Sequence, residues 1–204
     1  MAANGKHGSA LGERLRRERG EQGLSLRELA RRLEVSPSLV SQIETGKIQP
    51  SVRTLYAIVS ELGVSLDDVF APEQGDGARR RKAQSTPEQG SGIVQRAADR
   101  SVIELESGVR WERLTTRNER DVEFLNAIYE PGGESAPADA LVRHNGREFG
   151  IVLKGRLNVT VGFEEHELGP GDSIFFESTT PHRLRNEGGE PVEAIWVVLG
   201  RHGG

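Results

Sequence analysis

The chain contains no cysteine. That excludes disulfides, thiolate metal sites and cysteine nucleophiles, and leaves His, Asp and Glu as the metal-ligating side chains. Also missing is any apolar run approaching the about 20 residues that a membrane-spanning helix needs, so no membrane partner is expected. The opening MAANGKHGSA is polar and lacks the apolar stretch of a secretion signal, which points to the cytoplasm. At 204 residues the chain suggests one large domain or two smaller ones. Its net charge of −4 is unevenly spread: +1 over residues 1–72, +2 over 73–100 and −7 over 101–204. An acidic second half repels phosphate, so any nucleic-acid contact belongs to the first third.

Residues 11–72 carry helical periodicity and repeated start signals. Ser25 and Glu28 have capping-box spacing, with the hydroxyl bonding the helix backbone and the carboxylate reaching back. Leu26, Leu29, Ala30 and Leu33 form the apolar face that follows. Ser36-Pro37 starts a second helix, which buries Val40 and Ile43 and stops at Gly46. Ser51 starts a third (Val52, Leu55, Ile58, Val59, Leu62), ended by Gly63, and Ser65 with Asp68 starts a short last one. With the first helix around Leu11 and Leu15, these make a five-helix, all-α domain. Residues 1–10 are expected to be disordered. Residues 73–100, poor in large apolar side chains and containing ARRRKA, read as a flexible linker.

Residues 101–204 alternate short strands with Gly-rich turns: VIELESG, RWERLT, VEFLNAIY, EFGIVLKG, RLNVTVG, SIFFES, HRLRN and VEAIWVVLG. Such spacing indicates an all-β sandwich or barrel. In VRHNGREF (142–149), positions 142, 144 and 148 share parity, so on an unbroken strand Val142, His144 and Glu148 face one side. His182 shares parity with Leu184, placing Arg183 and Arg185 on the wetter face. Tyr129, Phe149, Phe176 and Trp196 are expected in the core, whereas Trp111 is ambiguous.

LRELARRLEVSPSLVSQIETGK (26–47) is helix, turn, helix, with small Ala30 at the crossing and Val35 in the turn. It resembles the helix-turn-helix of the Xre-type, phage-repressor-like regulators over roughly residues 11–70. The resemblance implies a second helix lying in the DNA major groove with its N-terminal residues at base edges. Pro37, Ser38, Ser41, Gln42 and Thr45 then face outward. Gln42 has the geometry to bond an adenine edge, and Ser38 or Ser41 to donate or accept. Ser25, Ser36, Thr45 and Lys47 suit phosphate contacts, with Arg16, Arg27 and Arg31 adding charge. The serines serve equally as plain helix caps. By resemblance, Arg19 and Glu44 form a buried ion pair tying the first helix to the recognition helix.

His144, Glu148 and Gly155 resemble the latter part of the first cupin motif, and GPGDSIFFESTTPHRLRN (169–186) resembles the second. The implied fold is a double-stranded β-helix, or jelly-roll barrel. Cupins that hold a metal do so with two histidines two apart, a glutamate and a late histidine. Here those positions are Val142, His144, Glu148 and His182. Valine cannot ligate, so two imidazoles and one carboxylate remain, the set of non-haem iron enzymes. The resemblance leaves open a divalent metal (Fe, Zn, Mn or Ni) or a metal-free cluster that hydrogen-bonds itself and a ligand.

The tandem order resembles the Xre–cupin regulators, a common bacterial arrangement. It implies a transcriptional regulator that binds a double-stranded DNA operator as a homodimer and senses a small-molecule effector in its barrel. The alternative is a non-haem iron cupin oxygenase or epoxidase of the same two-domain build, with His144, Glu148 and His182 holding iron.

Overall fold

The computed structural model describes residues 7–64, 66–70, 92–117, 119 and 121–200. The helices are α1 (His7–Glu21), α2 (Leu26–Arg32), α3 (Pro37–Glu44), α4 (Val52–Glu61) and α5 (Leu66–Phe70). Three of them start on serine caps: Ser25, Ser36 and Ser51 accept from the backbone N–H groups of Glu28, Leu39 and Thr54 at 3.1, 3.1 and 3.2 Å. Only half of the expected capping box forms. The Glu28 carboxylate turns to Arg31 and Arg32 instead, at 2.7 and 2.8 Å, because two guanidinium groups outweigh one backbone donor. Helix α1 begins at His7, upstream of the expected start near Leu11. Polarity suggested disorder for 1–10, but Ala10 and Leu11 are strong helix formers and carry the helix back one turn. Residues 1–6 and Ser65 lie outside the described residues.

Leu11, Leu15, Leu29, Ala30, Val40, Ile43, Leu55 and Ile58 are buried together. Burying each large side chain is worth about 1.5–3 kcal/mol. Helix α1 crosses the end of α3 so closely that a Cβ on Gly12 would overlap the carbonyls of Ile43 and Glu44. Gly46, at φ 66°, closes α3 in the left-handed conformation glycine tolerates best.

Most of the expected linker, including ARRRKA, lies outside the described residues. Its last part is structured: Ala97–Asp99 form a 3-10 turn, and Arg100 bonds Glu112 at 2.9 Å. The strands are β1 (Val102–Leu105), β2 (Val109–Arg113), β3 (Val122–Tyr129), β4 (Arg147–Lys154), β5 (Leu157–Val161), β6 (Glu164–Leu168), β7 (Ser173–Glu177), β8 (His182–Arg185) and β9 (Val192–Leu199). A six-stranded sheet, β1-β2-β3-β9-β4-β7, accompanies a three-stranded one, β6-β5-β8. Strand β9 shows the pattern most clearly, with Val192, Ala194, Trp196 and Val198 buried and alternate residues half-exposed. Strand β6 carries no strand signal in the sequence because EEHEL has hardly any apolar residue; it is held by pairing with β5.

Two expectations about 142–149 need correction. The segment is not one strand: Val142 makes an isolated bridge to His182, and β4 starts only at Arg147. Between them Gly146 adopts φ 111°, a turn that Asn145-Gly146 favours. Phe149 is not core but 37% exposed. Once Glu148 points inward, its neighbour on the strand must point out.

Candidate functional site

The first candidate surface is α3. Val40, Ile43 and Glu44 face the helical core, while Pro37 and Ser38 are exposed and Ser41 and Gln42 half-exposed. The Gln42 amide donates to Ser38 Oγ at 3.0 Å, so the two form one polar unit on the outer face. Ser25 and Ser36 are exposed at helix starts and use oxygen lone pairs as caps, which leaves their hydroxyl protons free for a phosphate. Thr45 differs: its hydroxyl donates to the Ser41 carbonyl at 2.8 Å and serves the helix end. Arg27 and Lys47 are exposed, and among the described residues neither has an ion-pair partner. Arg31, by contrast, is tied to Glu28.

Orientation of α3 rests on Arg19. Its Nε and Nη2 bond the two Glu44 carboxylate oxygens at 2.6 and 2.8 Å, and its Nη1 donates to the Leu24 carbonyl at 2.6 Å. Glu44 is buried, so this forked pair links α1, the turn before α2 and the end of α3.

The second candidate site lies in the barrel. Glu148 Oε1 is 3.1 Å from His144 Nε2 and 3.1 Å from His182 Nε2. The His144 side chain is as buried as that of Glu148, at 5% exposure each. His144 is positioned by the turn before β4, where its N–H donates to the Ser178 carbonyl at 3.0 Å. His182 opens β8 through a pair of backbone bonds to Val142. The Val142 side chain is apolar, and that position supplies no ligand atom.

Ring nitrogens decide what the cluster can hold. His144 Nδ1 lies 2.9 Å from the Asn145 carbonyl, and His182 Nδ1 2.9 Å from the Thr180 carbonyl. A carbonyl only accepts, so both Nδ1 atoms carry the proton and both neutral rings aim an Nε2 lone pair inward. His144 Nε2 and Glu148 Oε1 are buried without an aligned hydrogen bond. One ligand atom from each of the three residues lies within 4.8 Å of the others. Three inward lone-pair donors repel one another unless a proton or a cation stands among them, and backbone-anchored imidazoles are how proteins orient metal ligands. The donor set fits a divalent ion.

A fourth residue, invisible to motif reading, completes the anchor. Trp196 Nε1 donates to Glu148 Oε2 at 2.7 Å, fixing the carboxylate so that Oε1 faces the histidines. The indole fits there because Gly150 has no side chain; a Cβ would overlap its six-membered ring. Burial alone would push the Glu148 carboxyl up, but when the two imidazoles are protonated at Nε2 their hydrogen bonds and charge hold it below the ordinary carboxylate range. Burial alone would depress His182, and its contact with Glu148 raises it instead. Burial, and secondarily the Glu148 charge, push the Tyr129 hydroxyl up.

The helical domain also reaches this site. Tyr56 of α4 stacks on His144 with centroids 4.7 Å apart and planes 29° apart, and leans on Trp111 at 5.4 Å. Its hydroxyl donates to Glu123 Oε2 at 3.2 Å. Trp111, ambiguous from sequence, is buried.

Two family models match the chain: a helix-turn-helix model over residues 15–69 and a cupin-domain model over 126–198. The chain is similar to the HTH-type transcriptional regulator PuuR of Escherichia coli (strain K12), 29% identical over 182 residues, 88% of this chain and 89% of that protein. It also resembles the HTH-type transcriptional regulator SutR of the same strain, 24% identical over 182 residues, 89% of this chain and 90% of that one. Among solved structures, an HTH_3 family transcriptional regulator from Vibrio cholerae shares the fold. Its TM-score is 0.66 at 22% identity, covering 97% of this chain and 98% of that one. The chain therefore carries a helix-turn-helix domain followed by a cupin domain, and its similarity to these named regulators runs over nearly their full length.

Proposed function

We propose that this regulator reads an operator with Ser38, Ser41 and Gln42 of α3 and senses a small-molecule effector in its cupin barrel, with a divalent metal held by His144, Glu148 and His182. The observation that carries the sensing half is the buried convergence of three lone-pair donors with no aligned hydrogen bond among them. Iron, zinc, manganese or nickel suits two imidazoles and a carboxylate. When bound, such an ion would offer open coordination positions to an anionic or hydroxyl group of an effector. Arg27 and Lys47, with the Ser25 and Ser36 hydroxyls, supply phosphate contacts that hold the register. Thr45 joins them only by releasing the Ser41 carbonyl.

Operator reading calls for two copies, with recognition helices one DNA turn, about 34 Å, apart. A homodimer is favoured by the outer face of the six-stranded sheet, where Phe149, Ile151, Leu153 and Phe175 are exposed side by side on β4 and β7. Apolar patches of this kind mark interaction surfaces. The cytoplasm is the compartment that fits an operator-binding chain. Among the described residues no helix is long and apolar enough to cross a membrane.

Elemental analysis of protein purified without chelator tests the metal site. Near-stoichiometric divalent metal is expected in the wild type and its loss in His144→Ala; equal metal content in both overturns the assignment. Oxygen consumption by the iron-loaded protein with a candidate substrate would instead support an oxygenase reading of the same three residues.

A further inference from the structure

Two spaces meet at Tyr56. Inside the barrel, between Trp111, Glu148, His182 and Trp196, is a cavity of about 20 Å³. Outside, between α2, α4 and the 141–144 segment, is a cleft of about 600 Å³ that reaches His144. Tyr56 and Val142 line both spaces, so the tyrosine ring is part of the wall between them. The inner cavity holds little more than one water or one ion, since a single water needs about 10–15 Å³. Small organic ligands occupy about 300–1,000 Å³. The outer cleft has that capacity and the inner cavity does not.

The ring is well secured. Stacked on His144, tilted against Trp111 and bonded to Glu123, it is 8% exposed. Its backbone is equally constrained: Leu55, Ile58 and Val59 on the same helix are buried in the helical core at 0–1% exposure. Val52, one turn earlier, also lines the inner cavity. A wall of the cupin cavity therefore belongs to the DNA-binding domain.

We propose that Tyr56 is a door shared by the two domains. A molecule larger than an ion or a single water reaches the Glu148 carboxylate and the inward Nε2 atoms of His144 and His182 only by displacing the Tyr56 ring, so filling the cupin cavity breaks this contact between the DNA-binding domain and the barrel. The effector site is then composite, made by joining the outer cleft to the inner cavity. Its occupancy and the Tyr56–His144 stack exclude each other, which gives an effector the differential affinity it needs to shift one domain arrangement against another. The proposal rests on reading the barrel as the sensing site, and its test is independent of which metal or effector is native.

The test is site-resolved carbethoxylation by diethyl pyrocarbonate, read by mass spectrometry on the full chain, both untreated and chelator-stripped. Wild type, Tyr56→Phe and Tyr56→Ala are compared, with His166 on β6 as the internal reference because its side chain is 43% exposed. In stripped wild type, His144 should label about tenfold or more slowly than His166, since its inward nitrogen becomes reachable only through opening. Tyr56→Phe keeps the ring and should stay protected, whereas Tyr56→Ala should label His144 nearly as fast as His166. Adding 4-methylphenol, which replaces the missing side chain, should restore protection in Tyr56→Ala. Small-angle scattering should show a larger radius of gyration for Tyr56→Ala, reversed by the same molecule.

Equal labelling of His144 and His166 in stripped wild type overturns the proposal, as does a Tyr56→Ala protein with unchanged protection or unchanged dimensions. Protection that vanishes on stripping alone would leave the metal reading standing and remove the door. Tyr56-dependent protection in protein that binds no metal would do the opposite. Should Tyr56→Ala fail to fold, Tyr56→Leu, which removes the ring stacked on His144 and still fills part of its space, must raise His144 labelling above that of wild type or the proposal falls.

Discussion

Glu148 shows how one side chain depends on residues that contribute no ligand atom. Its carboxylate is oriented by the Trp196 N–H, and Trp196 lies flat only because Gly150 leaves room for the ring. Gly150→Ala is therefore expected to push the indole away, lose that bond and loosen the proposed divalent metal by about 10–100-fold, the usual cost of disturbing an outer-shell partner. Calorimetric titration with the metal found in the wild type measures this, and unchanged affinity would remove Trp196 from the site. Motif spacing made His144, Glu148 and His182 legible in the sequence because the chemistry restricts those positions to few residue types. Gly150, Trp196 and Tyr56 were not legible. A glycine in a strand, a core tryptophan and a tyrosine on a helix each have commonplace roles, and only the packing of separate segments gives them these.

Among the elements, α3 is held by a forked ion pair and by a close helix crossing. Removing one partner of a buried pair strands the other charge, so Glu44→Ala should cost about 3–5 kcal/mol of stability in the helical domain. Chemical denaturation followed by circular dichroism reads this directly, and a change below about 1 kcal/mol would mean solvent already screens the pair. In the cupin domain, Glu112 of β2 is approached by Arg100 at 2.9 Å and Arg110 at 2.6 Å. Burial works to raise its pKa, yet these contacts with Asn126 together leave it lowered. A carboxyl depressed in the folded state adds stability that is present above its unfolded value and is lost as pH falls through the folded one. Melting temperatures between about pH 6 and pH 3 should fall less steeply for Glu112→Gln than for wild type; parallel slopes would contradict the assignment. The helices and most strands could be read from periodicity and caps. Strand β6 and the turn at 145–146 could not, because cross-strand pairing imposed the first and a single positive φ the second.

At the scale of the whole molecule, a helical and a β domain share one wall. The Glu106 N–H donates to the Pro50 carbonyl at 3.1 Å beside the Tyr56 contact, joining the segment before α4 to the turn after β1. In the proposed operator-bound dimer such contacts must be accommodated or broken, which would make the domain junction the place for the proposed effector to act. The proposed function still depends on α3 reading bases. The most direct measurement is a competition binding titration of a DNA fragment selected by the full-length protein, against a scrambled fragment of equal length. Wild type, Gln42→Ala and Lys47→Ala are compared at fixed salt. The account predicts that Gln42→Ala lowers the preference for the selected fragment by about 1–3 kcal/mol, while Lys47→Ala weakens both fragments alike and preserves the preference. An unaltered preference in Gln42→Ala would contradict it.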